Sequence, residues 1–336
     1  MKQDNQIYQR KQDHIRIVNE QDVEPIMNPL DKYRLPYSAL PEIDLQKIDT
    51  NTKFLGYKLS FPFLVASMTG GPAKAGSINE NLARACAEVG VGLGLGSMRI
   101  ALKDEIAAKS FQVKQYCKNI PVIANLGLVQ LNYGFGADEI NRLLDISSAD
   151  AIFLHLNHLQ EAVQPEGDVN FEGLLEKLDK ALPLINKPVI IKEVGTGIDY
   201  KTAKALSEIG IKWIDISGMG GTSWTVVEAY RRQDDLGFLF AEEGIPTDEA
   251  LLQCKKVADM QLIAEGGIRS GLDIAKALIL GADIAAAAKS LLAPALESSE
   301  ACVTTLERIK RELQVALFTT GAKNIKELKS QQLVLK

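Results

Sequence analysis

The sequence lacks most of the signatures that would settle a function at once. It has no G-x-x-x-x-G-K-[ST] segment and no true G-x-G-x-x-G in its glycine-rich strand, which excludes a P-loop and a dinucleotide fingerprint. Its four cysteines, Cys86, Cys117, Cys254 and Cys302, lie far apart and form no C-x-x-C pair, so reduced, packed thiols of a cytosolic protein are expected. There is no excess of basic charge: 38 Lys and Arg stand against 43 Asp and Glu, a net charge of −5. No overall field is therefore available to hold nucleic acid or an anionic membrane, although a local cluster of Lys, Arg and backbone N–H groups can still take a small anion. No apolar run approaches the roughly 20 residues of a membrane span, and the start, "MKQDNQIYQRKQDHIRIV", has no apolar signal core. A cytoplasmic location is the expectation.

What is present is a rhythm. Eight short apolar runs recur: "FPFLVASM", "VGLGLG", "PVIANLG", "DAIFLHLN", "PVIIKEVG", "WIDISG", "QLIAEGG" and "ADIAAAAK". Helix-like segments such as "NENLARACAEVG", "GADEINRLLDI" and "GLDIAKALILG" separate them, many ending in a helix-stopping Gly. Strands alternating with helices predict parallel β/α units. Eight units in one chain of 336 residues predict an α/β fold, a single (β/α)8 TIM-barrel domain over 1–336. Residues 1–60 precede the first strand as an N-terminal extension. Residues 218–246 make a long connection after strand six, the expected lid.

A β/α barrel carries its active site at the C-terminal strand ends. Those ends read Ser67–Gly71, Ser97 and Arg99, Asn125, His155 and Asn157, Lys192 and Glu193, Asp215 and Ser217, Glu265–Gly267, and Lys289. Strands that begin apolar finish polar, as expected of a site at this rim. Period-two alternation along strand four puts Phe153, His155 and Asn157 on the axial face and Ile152, Leu154 and Leu156 toward the helices. Gln160 and Glu161 follow at the mouth, while His158 is expected to point elsewhere. A metal site on His155, His158 and Glu161 would need a helix there, which the β-prone run disfavours. Gly90, Gly92, Gly94 and Gly96 share one strand face, where a ligand or tight packing comes close. "AEGGIRSGLDIAKALILGADIAAAAKS" has the small residues with which such barrels cup a phosphate after strands seven and eight.

Together these stretches resemble the type 2 isopentenyl-diphosphate isomerases, a family of FMN-dependent barrels. The similarity rests on "RKQDH", "SMTGG", "GSMR", "ANLG", "HLNHLQE", "KEVG", "SGMGGTSW", "GIPT" and "EGGIRSGLDIAKALILGA", from residue 10 to about 290 in the family's order. "HLNHLQE", "GGTSW" and the N-terminal "RK" are specific to it; the phosphate cup is shared by many flavin barrels. The resemblance implies interconversion of isopentenyl and dimethylallyl diphosphate with FMN, NADPH as its reductant and Mg²⁺, in a homo-oligomer of four or eight chains. It places Ser67, Met68, Thr69, Ser97, Asn125, Lys192 and Thr222 on FMN and Gly266, Gly267, Ala288 and Lys289 at its phosphate. The family commonly has Arg at the last position, which leaves no clear side-chain role for Lys289. It assigns the substrate diphosphate to Arg10, Lys11, Arg99, His155 and Asn157, the alkene to Gln160 and the metal to Glu161. Glu243 stands where the family often has an aromatic residue.

The implied chemistry asks for a well-placed acid near an unactivated alkene in a site that excludes water. The strand ends offer no obvious acid–base pair aimed at a hydrocarbon, and a reduced flavin would supply one. Two other readings remain open. An FMN-dependent 2-hydroxy-acid oxidase or dehydrogenase uses the same barrel but wants a His base near strand seven, and the only histidines are His14, His155 and His158. A non-catalytic barrel binding a phosphate ligand is the other.

Overall fold

Each of eight short strands turns alternate side chains inward and outward, and over the lower half of the strand both sets are apolar. The computed structural model describes every residue except 1, 25–26 and 69–72, with backbone alone for 2–8 and 73–75, and closes these strands into one parallel barrel. They are β1 (Phe63–Val65), β2 (Gly92–Gly94), β3 (Val122–Gly127), β4 (Ala151–His155), β5 (Val189–Lys192), β6 (Trp213–Asp215), β7 (Gln261–Ala264) and β8 (Ile284–Ala287). Sequence neighbours pair around the ring, and β8 closes onto β1 with Ala285 opposite Phe63 and Ala287 opposite Val65. The expected (β/α)8 architecture is present.

An N-terminal helix α1 (Lys2–Glu20) precedes the barrel. Around it run α2 (Ala73–Val89), α3 (Ala137–Ser147), α4 (His158–Val163), α5 (Leu174–Ala181), α6 (Tyr200–Glu208), α7 (Trp224–Arg232), α8 (Leu236–Leu239), α9 (Thr247–Cys254), α10 (Gly271–Leu280), α11 (Lys289–Glu297) and α12 (Ser299–Thr320). Local chemistry starts them: the Asp199 carboxylate caps α6 by accepting from Thr202 N at 2.9 Å, and Ser298 caps α12 by accepting from Ala301 N at 3.1 Å.

Inward residues Leu64, Ile123, Ala151, Phe153, Ile190, Ile263, Ile284 and Ala286 fill the barrel. Outward neighbours such as Val65, Ile152, Leu154 and Ile214 join the larger core beneath the helices. A hairpin, Thr52–Phe54 and Tyr57–Leu59, plugs the N-terminal end, where Phe54 meets Trp213 edge-on at 4.8 Å. With that end stoppered, the barrel opens only toward the strand C-termini.

The long connection at 218–246 is not a bare loop, because α7 and α8 form within it. Val226 and Val227 of α7 pack with Ile17 and Val18 of α1 and Leu292 of α11. This apolar seam carries the N-terminal helix across the barrel mouth. All four cysteines are buried and unpaired, with burial raising their thiols. Among the described residues no helix is long and apolar enough to cross a membrane.

Two glycines on helices test the packing in opposite senses. A Cβ at Gly271 would lie 2.2 Å from Leu313 N and 2.3 Å from Ile309 O, backbone atoms of α12 that cannot step aside. Among the described residues a Cβ at Gly76 would meet only Ser110, 3.7 Å from its Cβ and 4.0 Å from its Cα, ordinary contacts. Gly271→Ala is expected to lower unfolding free energy by about 1–3 kcal/mol. Gly76→Ala should raise it by about 0.5–1 kcal/mol. Urea titrations of both variants check the pair of signs.

Candidate functional site

The alternation that fills the barrel also builds its rim. One step above Phe153, Ile190 and Ile263, the same inward faces present His155, Lys192 and Glu265, with Asn125 and Asp215 beside them. All of these except the fully buried Asp215 floor a cavity of about 550 Å³ at the open end. Arg10, Lys11, Ser67, Met68, Ser97, Arg99, Asn125, His155, Asn157, Gln160, Glu161, Lys192, Thr222, Gly266, Gly267, Ala288 and Lys289 all line this one cavity. Thr69 lies outside the described residues.

On the floor, Lys192 Nζ bonds Asp215 Oδ2 at 2.9 Å and also contacts Glu265 Oε2. Burial opposes the ammonium, but the two carboxylates outweigh it and raise Lys192 above its ordinary value. Burial pushes the Asp215 carboxyl well up, with Lys192 opposing and Glu265 adding to the rise. Glu193, the next residue, turns away from the axis and accepts from the backbone N–H groups of Val194, Gly195 and Thr196 at 2.5–2.7 Å.

His155 Nδ1 lies 2.7 Å from Asn125 Oδ1, and Asn125 Nδ2 donates to Ser67 Oγ at 2.9 Å. Burial, then Lys192 and Arg99, push His155 down to about 3. It is therefore a neutral imidazole whose Nδ1–H is committed to Asn125, leaving Nε2 as an acceptor.

One wall is a cradle of main chain. Gly266 and Gly267 have φ of +97° and +77°, and a Cβ on either would strike Gly218 O or Gly220 O. Asn28 Nδ2 holds Gly267 O at 2.7 Å, and Thr247 Oγ1 holds Gly266 O at 2.8 Å. Ser290, in the first turn of α11, lines the cavity with its buried Oγ unpartnered. Main-chain glycines, a helix start and an unsatisfied hydroxyl fit the phosphate of FMN. The Lys289 ammonium instead stands 3.6 Å from Glu24.

The opposite wall is ionic. α1 brings Arg10 and Lys11 to Arg99, and Lys11 Nζ donates to Ser97 O at 3.0 Å. Burial, with Arg10 and Arg99 close by, pushes the Lys11 amine down to about 7. The Glu161 carboxylate accepts from Asn157 Nδ2 at 2.7 Å and from Asp168 N at 2.7 Å, and burial raises it. Gln160 Nε2 donates to Glu228 Oε1 at 3.3 Å. Glu228 also receives His14 Nε2 at 2.9 Å and Arg231 Nε at 2.6 Å, which outweigh its burial and take it to about 2. Gln164, its amide oriented to suit both neighbours, accepts from Arg10 Nη1 at 2.9 Å and donates to Glu228 at 3.2 Å.

One sequence expectation needs correction. β4 ends at His155, but a helix, α4, starts at His158, because the chain turns sharply once it leaves the barrel wall. His158 and Glu161 thus share a helix while His155 does not. His158 faces outward, edge-on to Phe171 at 6.2 Å. Among the described residues no group of three or more His, Cys, Asp or Glu could hold a metal alone. Glu161 with substrate oxygens and water still fits Mg²⁺, which usually takes one or two carboxylates.

Glu228, Asp168, His14 and Ser290 were given no role from the sequence. The signal for Glu228 was there: a carboxylate between Val227 and Ala229 on a helix face that packs inward.

A family model described as FMN-dependent dehydrogenase matches residues 22–124 and 151–335. Over 332 residues the chain is 43% identical to the isopentenyl-diphosphate delta-isomerase of Hydrogenovibrio crunogenus, covering 97% of both. The chain belongs to the isopentenyl-diphosphate delta-isomerase family. Its member from Archaeoglobus fulgidus is 43% identical over 95% of this chain and 93% of its own. That of Rickettsia rickettsii (strain Sheila Smith) is 40% identical over the whole of both. This isopentenyl-diphosphate delta-isomerase family member also shares its fold with solved mandelate oxidase variants. One with (S)-mandelic acid has a TM-score of 0.67 at 17% identity, covering 96% of this chain and 97% of its own.

The Lys192 trio is the site's electrostatic keystone and can be tested directly. Lys192→Met leaves the buried carboxyls of Asp215 and Glu265 without their cation, a loss expected to cost about 3–5 kcal/mol of stability. A carboxyl whose folded pKa is raised contributes stability below its unfolded value and loses it as pH rises through the folded value. The deficit should therefore be larger at pH 8 than at pH 5 in urea unfolding. A pH-independent deficit would show that the lysine acts by packing alone.

Proposed function

We propose that this chain interconverts isopentenyl diphosphate and dimethylallyl diphosphate, using FMN reduced by NADPH and requiring Mg²⁺, without net redox change per turnover. One observation carries the reading: a single cavity with two separate anion-holding walls, the glycine cradle at Gly266–Gly267 and the cations of Arg10, Lys11 and Arg99. The cradle suits the phosphate of FMN, and the three cations suit the substrate's diphosphate.

Bound and reduced, FMN supplies ring nitrogens able to give and take a proton. The chain's own residues do the rest. Lys192, charged at neutral pH by its two carboxyls, stabilises negative charge beside it. Arg10, Lys11 and Arg99 grip the substrate's polar end, with Asn157 and His155 alongside. Glu161 ligates Mg²⁺ at that end. The Gln160 amide, steered by Glu228, lies beside the alkene. α1 and the 218–246 segment exclude water as a lid. The 2-hydroxy-acid oxidase reading finds no histidine after β7, where the chain has Glu265, Gly266 and Gly267. His14 is tied to Glu228, and His155 to Asn125.

Turnover of isopentenyl diphosphate under anaerobic conditions is expected only after NADPH bleaches the flavin; turnover by oxidised protein would sink the mechanism. Gln160→Ala should cost kcat roughly 100-fold while the flavin spectrum persists. Unchanged kcat would remove Gln160 from the alkene.

Lys11 gives a pH signature. In the free protein its amine titrates near 7, and a bound diphosphate raises it, so binding takes up a proton. Affinity should weaken by up to tenfold per pH unit above 7. Lys11→Arg stays charged throughout, and its KM should rise less steeply between pH 7 and 9. Parallel profiles would show that the substrate's own ionisation sets the slope.

A further inference from the structure

The Arg99 guanidinium is already engaged. Its Nη1 contacts Asp168 Oδ2, and Gln130 Nε2 donates to the same oxygen at 2.8 Å. Both ionic partners are half-buried, with side chains 28% and 21% exposed, and Arg99 and Gln130 line the cavity. Asp168 also reaches the other charged group of this wall, since its backbone N–H donates to Glu161 Oε2 at 2.7 Å. The loop holding it cannot drift from α4. A Cβ at Gly167 would fall 1.9 Å from Glu161 O, and Gly167 N donates to Gln164 O at 3.1 Å. Arg99, Asp168 and Glu161 thus form one chain of contacts: the Arg99 cation to the Asp168 carboxylate, and the Asp168 backbone N–H to the Glu161 carboxylate.

An incoming diphosphate competes with Asp168 for the same guanidinium, and two anions cannot share it without mutual repulsion. Once displaced, Asp168 is a half-buried carboxylate beside Glu161, whose carboxyl burial and the Asp168 charge already raise. Asn157 Oδ1, buried and unpartnered, lines the same cavity. A divalent cation takes one or two carboxylates together with phosphate oxygens. We propose that Asp168 is the exchangeable counter-ion of Arg99, and that its displacement by diphosphate makes diphosphate binding depend on a divalent cation. Asp168 is then a positioning residue for Arg99 in the free protein and an extra negative charge for the cation in the complex. This rests on reading the ionic wall as the diphosphate site.

The test uses FMN-loaded protein and inorganic diphosphate, with binding read by calorimetry with and without Mg²⁺. Asp168→Asn removes the competing charge and keeps the side chain's size. Without Mg²⁺ it should bind diphosphate roughly tenfold tighter than wild type, the scale of one charge-assisted hydrogen bond. Its gain on adding Mg²⁺ should be smaller than the wild-type gain. Complexation in solution is common to both proteins, so the comparison of gains isolates the protein. On an Arg99→Met background the tightening should largely vanish, because the exchange runs through that guanidinium. Asp168→Glu, which keeps the charge, should retain the wild-type response to Mg²⁺. If Asp168→Asn does not load FMN, Asp168→Ser takes its place.

Equal affinity of wild type and Asp168→Asn without Mg²⁺, an undiminished Mg²⁺ gain, or tightening that survives Arg99→Met would each overturn the exchange. A merely structural role for Asp168 would weaken binding in both conditions. Failure of the wild-type protein to bind diphosphate in any condition would instead defeat the functional reading on which the proposal rests.

Discussion

The mouth of this barrel is organised by one buried ammonium. Lys192 ends β5, opposite Asp215 at the end of β6, while β7 places Glu265 one step beyond. Three adjacent strands therefore finish on a shared charge system with almost no solvent access. Removing any member leaves the others unbalanced in a low-dielectric site, so identity and register are fixed together. His155, next to Lys192 in the β4–β5 pairing, lies in that field and stays neutral. The polarity of the floor follows from this arrangement.

The second constraint is that the barrel alone makes half a site. Its strands supply the floor, and the turns after β7 and β8 supply the glycine cradle, but Arg10 and Lys11 arrive on a helix at the far N-terminus. α1 can cross the mouth because α7 and α11 offer it an apolar seam of Val226, Val227 and Leu292. The same α7 carries Glu228, which joins His14 of α1 to Gln160 of α4. Packing and polar contacts thus run through the same three helices, so displacing the 218–246 segment would disturb the cationic wall and Gln160 together.

The fold was largely legible because a parallel barrel writes both of its rules locally. Apolar runs mark strands buried on both faces, and alternation along β4 separates Phe153 and His155 from Ile152 and Leu154 in sequence as in space. The strand-end residues were legible for the same reason. The turn after β4 was less so: a strand signal in "DAIFLHLN" gave no hint that a helix would start at His158. Least legible were the partners. Glu228 is 214 positions from His14 and 68 from Gln160, and Asp168 is 69 from Arg99. Such pairings depend on three-dimensional closure, and no local period encodes them.

The charge distribution in the mouth explains why those partners matter. The ionic wall collects Arg10, Lys11 and Arg99, and the strain of that gathering appears at its weakest member, Lys11, whose amine is driven far below its usual range by burial and by its two cationic neighbours. A protein at rest tolerates such a cluster only with counter-ions nearby, and Asp168, Glu161 and Glu228 provide them. These carboxylates are not placed symmetrically. Glu228 is saturated by His14 and Arg231, whereas Asp168 and Glu161 sit where an arriving anion must contend with them. Preorganised repulsion among cations favours an anion, while the adjoining carboxylates disfavour one that comes without a metal. On the exchange proposed for Asp168, selectivity for an anion–metal pair over an anion alone follows from the arrangement of charges in the free protein.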